Sequence, residues 1–264
     1  MNSYLDDSNK MTFGGHLEVV RQMLLRILSV TAILAVVIFC LKDITWSLLL
    51  APSEWNFCTY RWLESAMKGI GFPDFRFEEY HIELITTDLS AQFMLHITTS
   101  VYLGLLFASP YILFELFHFI SPALYENERK YSVRATIVIY ILFILGVLMT
   151  YYILFPISFR FLGTYSVAET VHSTITLDSY VETFTSLTLM MGLVFQLPVI
   201  AFVLAKMGVI TYDLLAEYRR HAFILILLVA AFITPPDIMT LLVVTVPLYI
   251  LYEISIKIVK ISQS

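Results

Sequence analysis

The chain has 264 residues, of which 59% are hydrophobic and 14% charged, with a formal net charge of −5 and a mean hydropathy of +0.81. Soluble domains run near about 45–50% apolar and about 25% charged, so this composition belongs in a membrane. The negative balance excludes a generally basic nucleic-acid surface, and no low-complexity tail or Gly/Ser linker divides the chain, which reads as one membrane domain over residues 1–264.

The opening segment, MNSYLDDSNKMTFGG, is polar and partly acidic and lacks the basic-then-apolar layout of a cleaved signal, so it is expected to stay on the protein. The first apolar run, 23–50, carries Lys42 and Asp43 near its far end and is long enough for a span of ~30 Å. Cys40 and Cys58, with no CxxC spacing, read as inert thiols. Residues 51–90 form an outer loop with short amphipathic pieces; its Trp55, Tyr60, Trp62 and Tyr80 are ring types that settle at membrane surfaces. A second span, 91–117, contains Pro110 and Glu115 and leads into a polar loop, 118–132, with the sequence HFISPALYENERKY. The third span is 133–155 and the loop 156–178 follows. Ser179 and Glu182 read as a capping box opening a fourth span, 179–207, which Gln196 and Pro198 are expected to kink.

After the loop 208–220 the pattern shortens. Residues 221–233 offer about 13 apolar positions, roughly 20 Å of helix, before the turn 234–237, Thr-Pro-Pro-Asp. The last run, 238–256, is barely longer in its apolar part. The two either cross a thinned bilayer or form a re-entrant hairpin. With six spans, Lys and Arg divide eleven against five between the faces, which puts both termini and the 118–132 loop in the cytoplasm. The expected fold is therefore all-α: a polytopic membrane protein of six transmembrane helices, the last two short.

No HExxH, GxSxG, P-loop or Gly-rich nucleotide fingerprint is present, and the six histidines are scattered, His96 and His118 reading as packed or interfacial. Nothing points to an enzyme, a metal or a cofactor. Polar residues in or beside apolar helices are the remaining candidates, because they are costly there. Glu115, Gln196, Asp237 and Glu253 stand out. Each has a plain structural alternative: a headgroup contact for Glu115, an interhelical hydrogen bond for Gln196, a helix N-cap for Asp237, a Lys257 pair for Glu253. In the 118–132 loop, Glu126 and Glu128 are carboxylates able to accept a bidentate arginine, which lysine does not imitate. Residue chemistry alone favours the plainer account, a hairpin begun by Pro122 with Arg129 and Lys130 obeying the positive-inside rule.

Three motifs change that balance: His16-Leu-Glu-Val-Val-Arg21, Phe119-Ile-Ser-Pro-Ala-Leu-Tyr-Glu-Asn-Glu-Arg129, and Thr234-Pro-Pro-Asp237 followed by Pro247-Leu-Tyr-Ile-Leu-Tyr-Glu253, with Phe155-Pro156 as a weaker fourth. In order and spacing the chain resembles the TatC family, the polytopic subunit of the twin-arginine protein translocase, along nearly its whole length. The resemblance implies a non-enzymatic core receptor of a bacterial inner membrane. Such a subunit binds twin-arginine signal peptides of folded cargo at its cytoplasmic face and recruits single-span TatA/TatB-type partners for export driven by the proton-motive force, in a hetero-oligomer of several copies. By position, Glu128 is the expected receiver of a signal-peptide arginine, with Phe119, Pro122, Leu124 and Arg129 shaping its loop and Leu17, Glu18 and Arg21 contributing from the first motif. Pro52 matches the proline closing the first helix, and Asp237 and Thr240, beside Pro235 and Pro236, lie in the region of partner docking. The family usually places its first-motif acid where this chain has Val19; here the glutamate is Glu18, ~100° away on a helix. Gln196 stands where many relatives carry glutamate, Met23 replaces a basic residue, and Leu241 replaces a frequent glutamine. A small-solute or ion carrier is the alternative, motivated by the Gln196/Pro198 interruption and the short final helices; no internal repeat supports it.

Overall fold

The computed structural model describes residues 13–72, 74, 76–120, 129–166, 168, 174–235 and 237–263, with backbone alone at 13–16, 117, 118, 120 and 129–135. Helix α1, Phe13–Cys40, starts ten residues before the expected Met23. Polar residues extend it because Glu18, Arg21 and Gln22 are good helix formers, and Glu18 accepts hydrogen bonds from both, three and four positions on. The helix breaks at Leu41 and resumes as α2, Lys42–Leu50, before a 3-10 turn, Ala51–Ser53, that buries Pro52. The 51–90 segment holds α3, Cys58–Ile70, which stops at Gly71 in the left-handed region, φ 111°. It also holds β1, Leu84–Ile85, paired in parallel with β2, Ile175–Thr176, so among the described residues a two-stranded sheet staples this segment to the one before α7 in a protein that is otherwise helical there.

Helix α4, Ala91–Ile120, runs through Pro110. Helix α5, Arg129–Met149, passes through a π turn, Thr150–Leu154, directly into α6, Phe155–Thr164. This corrects the expected end of the third span at Phe155 and the loop from 156. Pro156 has no N–H for the carbonyl of Tyr152 one turn earlier; that carbonyl instead accepts the Thr59 hydroxyl from α3, and the helix continues. Helix α7, Leu177–Val194, is capped by Thr176, whose Oγ1 accepts from Ser179 N at 3.2 Å, so the capping residue is Thr176 and the Ser179–Glu182 box is not formed. A break at Phe195–Gln196 precedes α8, Leu197–Lys206, where Pro198 occupies the first turn as the kink expectation required. The 208–220 loop contains α9, Tyr212–Glu217.

Helix α10, Arg219–Ile233, has 15 residues, whereas α11, Ile238–Gln263, has 26. Only the first of the final pair is short, which corrects the sequence expectation. Beyond Glu253 no breaker occurs, and Lys257 and Lys260 carry the helix past its apolar part. Among the described residues five stretches are long and apolar enough to cross a membrane: Leu17–Cys40, Ala91–Leu116, Thr136–Thr164, Leu177–Lys206 and Ile238–Gln263. The fold is thus that of an α-helical, multi-pass membrane protein.

Lipid tails are as apolar as leucine, so close fit and interhelical hydrogen bonds hold such helices together. Small residues permit the fit. A Cβ on Gly104 of α4 would come within 2.9 Å of the Ala35 backbone on α1, and one on Gly146 of α5 within 2.7 Å of the Met191 carbonyl on α7. Leu49, Leu95, Phe155, Phe159, Tyr180 and Phe184 fill one core at the end of the bundle that carries the two-stranded sheet. Leu154, Met191, Ala230, Val244 and Leu248 fill a second between α7, α10 and α11. Leu28, Ile33 and Phe232 face outward, as lipid contact demands.

Candidate functional site

Helices α1 and α4 run antiparallel in a fixed register: Arg26 meets Glu115, Ala35 meets Gly104, and Phe39 stacks on His96. Both rise ~1.5 Å per residue, so the same register brings Arg21 level with Ile120, the last residue of α4. The first motif and the last turn of α4 therefore lie at one end of the bundle. Helix α5 begins at that end with Arg129.

The best-defined polar feature there is a buried carboxylate. Glu115 is 7% exposed; Arg26 Nη1 donates to both of its oxygens, at 3.2 and 3.5 Å, and the Tyr111 hydroxyl donates to Oε1 at 2.7 Å. Removing a carboxylate from water requires such partners. Arg26, half-exposed at the bundle edge, neutralises it and locks α1 to α4. Sequence reasoning singled out Glu115 and missed Arg26 and Tyr111, although an arginine inside an apolar run was itself a signal.

Leu17, Glu18 and Arg21 lie exposed on α1, and Glu18 pairs with Arg21 at 3.1 Å. Since Glu18 is held within the helix, the ~100° offset from Val19 is a real difference in direction. Phe119 is exposed near the end of α4. Glu128, Pro122, Leu124 and Glu126, and Pro236 in the later turn, lie outside the described residues.

At the same end, Glu253 does not pair with Lys257. Arg219 reaches it from α10 through Nε at 3.1 Å and Nη2 at 3.3 Å, and the Tyr249 hydroxyl adds a contact at 3.2 Å. Two fixed guanidinium donors out-compete a flexible ammonium one turn away. Gln263 then ties the α11 end to α9, donating to Ile210 O and accepting from Tyr212 N, each at 3.0 Å.

Gln196 fills the α7–α8 break. It is 7% exposed and donates from Nε2 to the Ile139 carbonyl of α5 at 3.0 Å, while Oε1 has no hydrogen-bond partner among the described residues. At the opposite end of the bundle, Asp237 Oδ1 accepts from Thr240 N at 2.6 Å, the N-cap of α11, and the Thr240 hydroxyl donates to Ser158 Oγ of α6 at 2.9 Å. Pro235 O accepts from Asp237 N at 2.7 Å, closing the turn. Arg160, which sequence reasoning left unassigned, lies 4.5–5.2 Å from the ring centres of Tyr60, Phe77 and Tyr80, with Nη2 donating to Glu78 O at 2.9 Å. Burial, and then the hydrogen bond with Tyr80, push the Tyr60 phenol above its ordinary range; burial does the same at Tyr80. This cluster pins the 51–90 segment to α6. Among the described residues no group of His, Cys, Asp and Glu has the arrangement of a metal site.

The family model described as "Sec-independent protein translocase protein (TatC)" matches residues 15–247. The Sec-independent protein translocase protein TatC of Blattabacterium sp. subsp. Periplaneta americana is 33% identical over 256 residues, covering 96% of both chains. TatCy of Bacillus subtilis is 42% identical over 158 residues, covering 60% of this chain and 62% of that protein. The crystal structure of the twin arginine translocase receptor TatC superposes with a TM-score of 0.72 at 28% identity, covering 94% of this chain and all of the other. The chain belongs to the TatC family, and is a multi-pass membrane component of a Sec-independent protein translocase, a transport machine and not an enzyme.

Proposed function

We propose that this subunit is the receptor of its translocase, binding twin-arginine signal peptides of folded cargo at the end of the bundle where α1 begins and α4 ends. The α1–α4 register is the observation that supports the reading, because it draws Leu17, Glu18 and Arg21 toward the end of α4 at Ile120, after which the segment containing Glu128 follows in the chain. Glu128 receives a signal-peptide arginine; Phe119, Pro122, Leu124 and Arg129 shape its loop. Glu18, already bonded to Arg21 and Gln22, contributes less. The end carrying Lys206, Arg219, Lys257 and Lys260 is cytoplasmic by the positive-inside rule, so both termini lie on the cytoplasmic side of a bacterial inner membrane and α10 is a short sixth crossing.

Single-span TatA/TatB-type partners dock along the later helices, near Asp237 and Thr240, and several copies assemble into the working complex. Gln196, bonded to α5, serves helix packing in this chain and carries no charge toward a partner. The test is photo-crosslinking from signal peptides that bear Arg-Arg or Lys-Lys and a photoreactive residue beside the pair, read as adducts on the segment that contains Glu128. Selective crosslinking of the Arg-Arg peptide supports the receptor; equal crosslinking of both, or of neither, refutes it.

A further inference from the structure

At the end of the bundle where α4 and α7 begin, a cavity of about 360 Å³ is lined by Lys42, Trp46, Gln92, Phe93, His96 and Leu177. That volume lies within the range of small-ligand sites, roughly 300–1,000 Å³. Its construction follows from the chain. Lys42 and Trp46 stand four apart on α2, just past the break at Leu41, and Gln92 and His96 stand four apart on the first two turns of α4, so each pair shares a helix face.

The His96 ring is held in place. It stacks on Phe39 with centres 4.2 Å apart and planes at 12°, with Trp46 tilted beside it at 6.5 Å. Held this way, its Nε2 is buried and has no hydrogen-bond partner among the described residues. A buried ring nitrogen left unpaired is costly, so a ligand whose entry turns the ring and gives Nε2 a partner relieves that cost. Lys42 is the one charged residue in the lining, and among the described residues it forms no ion pair. The ligand is therefore an anion that also accepts hydrogen bonds.

The surroundings define its other part. Phe93 in the lining is an exposed apolar side chain, Met94 and Ile97 are exposed near it in the same apolar span, Ala91–Leu116, and Ile44 is exposed on α2 between Lys42 and Trp46. His96 lies about 8 Å along α4 from its first residue, near the boundary between headgroups and acyl chains. A free anion uses the lysine and the histidine and leaves the apolar rim unused; a phospholipid uses both.

We propose that this cavity is a phospholipid site, in which Lys42, His96 and Gln92 hold the phosphate of a headgroup and the acyl chains lie over Phe93 and Met94. The geometry rests on the membrane-spanning fold and is independent of signal-peptide recognition.

The experiment uses the full chain, purified in detergent, stripped of lipid and analysed by native mass spectrometry after incubation with dioleoylphosphatidylglycerol. Wild-type protein retains the lipid, and Lys42→Gln/His96→Phe, which keeps the stack on Phe39, weakens its retention roughly tenfold. Lys42→Glu, a change at an exposed position, gives the same loss if the double variant fails to fold. Dioleoylglycerol, which lacks the phosphate, is not retained, and millimolar inorganic phosphate does not displace the phospholipid. Equal retention by wild type and variants, equal retention of dioleoylglycerol, or displacement by inorganic phosphate overturns the proposal.

Discussion

Replacing Arg26 with methionine tests whether the Glu115 carboxylate is what sets the α1–α4 register. The substitution keeps an unbranched apolar stem of similar reach and deletes the guanidinium, leaving Glu115 with the Tyr111 hydroxyl alone. Removing one partner of a fully buried pair costs about 3–5 kcal/mol. Here the Glu115 side chain is 9% exposed but Arg26 is 55% exposed, so water and headgroups screen the pair and the cost falls to about 1–3 kcal/mol. For a chain of this size each kcal/mol moves Tm by about 2–4 °C, so Arg26→Met lowers it by about 2–12 °C. Arg26→Met/Glu115→Leu removes the stranded charge together with its partner and restores most of the loss. Thermal unfolding in detergent, followed by circular dichroism, reads both. A single variant that melts with wild type, or a double variant that melts below the single, refutes the assignment.

The α5–α7 contact has no room for a side chain at Gly146, so Gly146→Leu must displace the Met191 backbone; it lowers stability by at least about 1–3 kcal/mol in the same melt, while Gly69→Leu on the open face of α3 does not. The Tyr60 phenol keeps its proton in the folded state when the unfolded chain releases it near the ordinary value of 10.0. Its contribution to stability is therefore complete below about pH 10 and declines as pH rises above it. Tyr60→Phe flattens that alkaline decline in Tm, at the expense of the hydrogen bond to Pro156 O. Ile238 is exposed at the start of α11, so Ile238→Cys in otherwise cysteine-free protein reacts with a membrane-impermeant maleimide added from outside intact cells. Labelling only after the membrane is opened rules out the six-crossing topology.

The spans were legible because hydrophobic runs report directly on lipid contact, and residues 91, 197 and 238 open helices close to where hydropathy and proline placed boundaries. Helix ends were not. Hydropathy stops where lipid stops, whereas the backbone follows propensity, so Phe13–Gln22 and Lys257–Gln263 continue as helix through polar residues. The path through Pro156 was hidden for another reason: the carbonyl that proline strands is satisfied by Thr59, 93 positions away. Partners remote in sequence were likewise unreadable. Glu115 was visible as a costly carboxylate, but its arginine lies 89 positions earlier, and Glu253 takes Arg219 across helices in place of the nearby Lys257. Motif order, by contrast, was sufficient to identify the family, because it records the combined pattern and needs no contact to be known.

The most direct test of receptor function is the affinity of the purified subunit, alone and as Glu128→Gln, for a fluorescent signal peptide with Arg-Arg and for the same peptide with Lys-Lys. A carboxylate that accepts a bidentate guanidinium predicts at least roughly tenfold tighter binding of Arg-Arg by wild type, and loss of most of that preference in Glu128→Gln with membrane insertion intact. Equal affinity of wild type for the two peptides, or an undiminished preference in the variant, contradicts it.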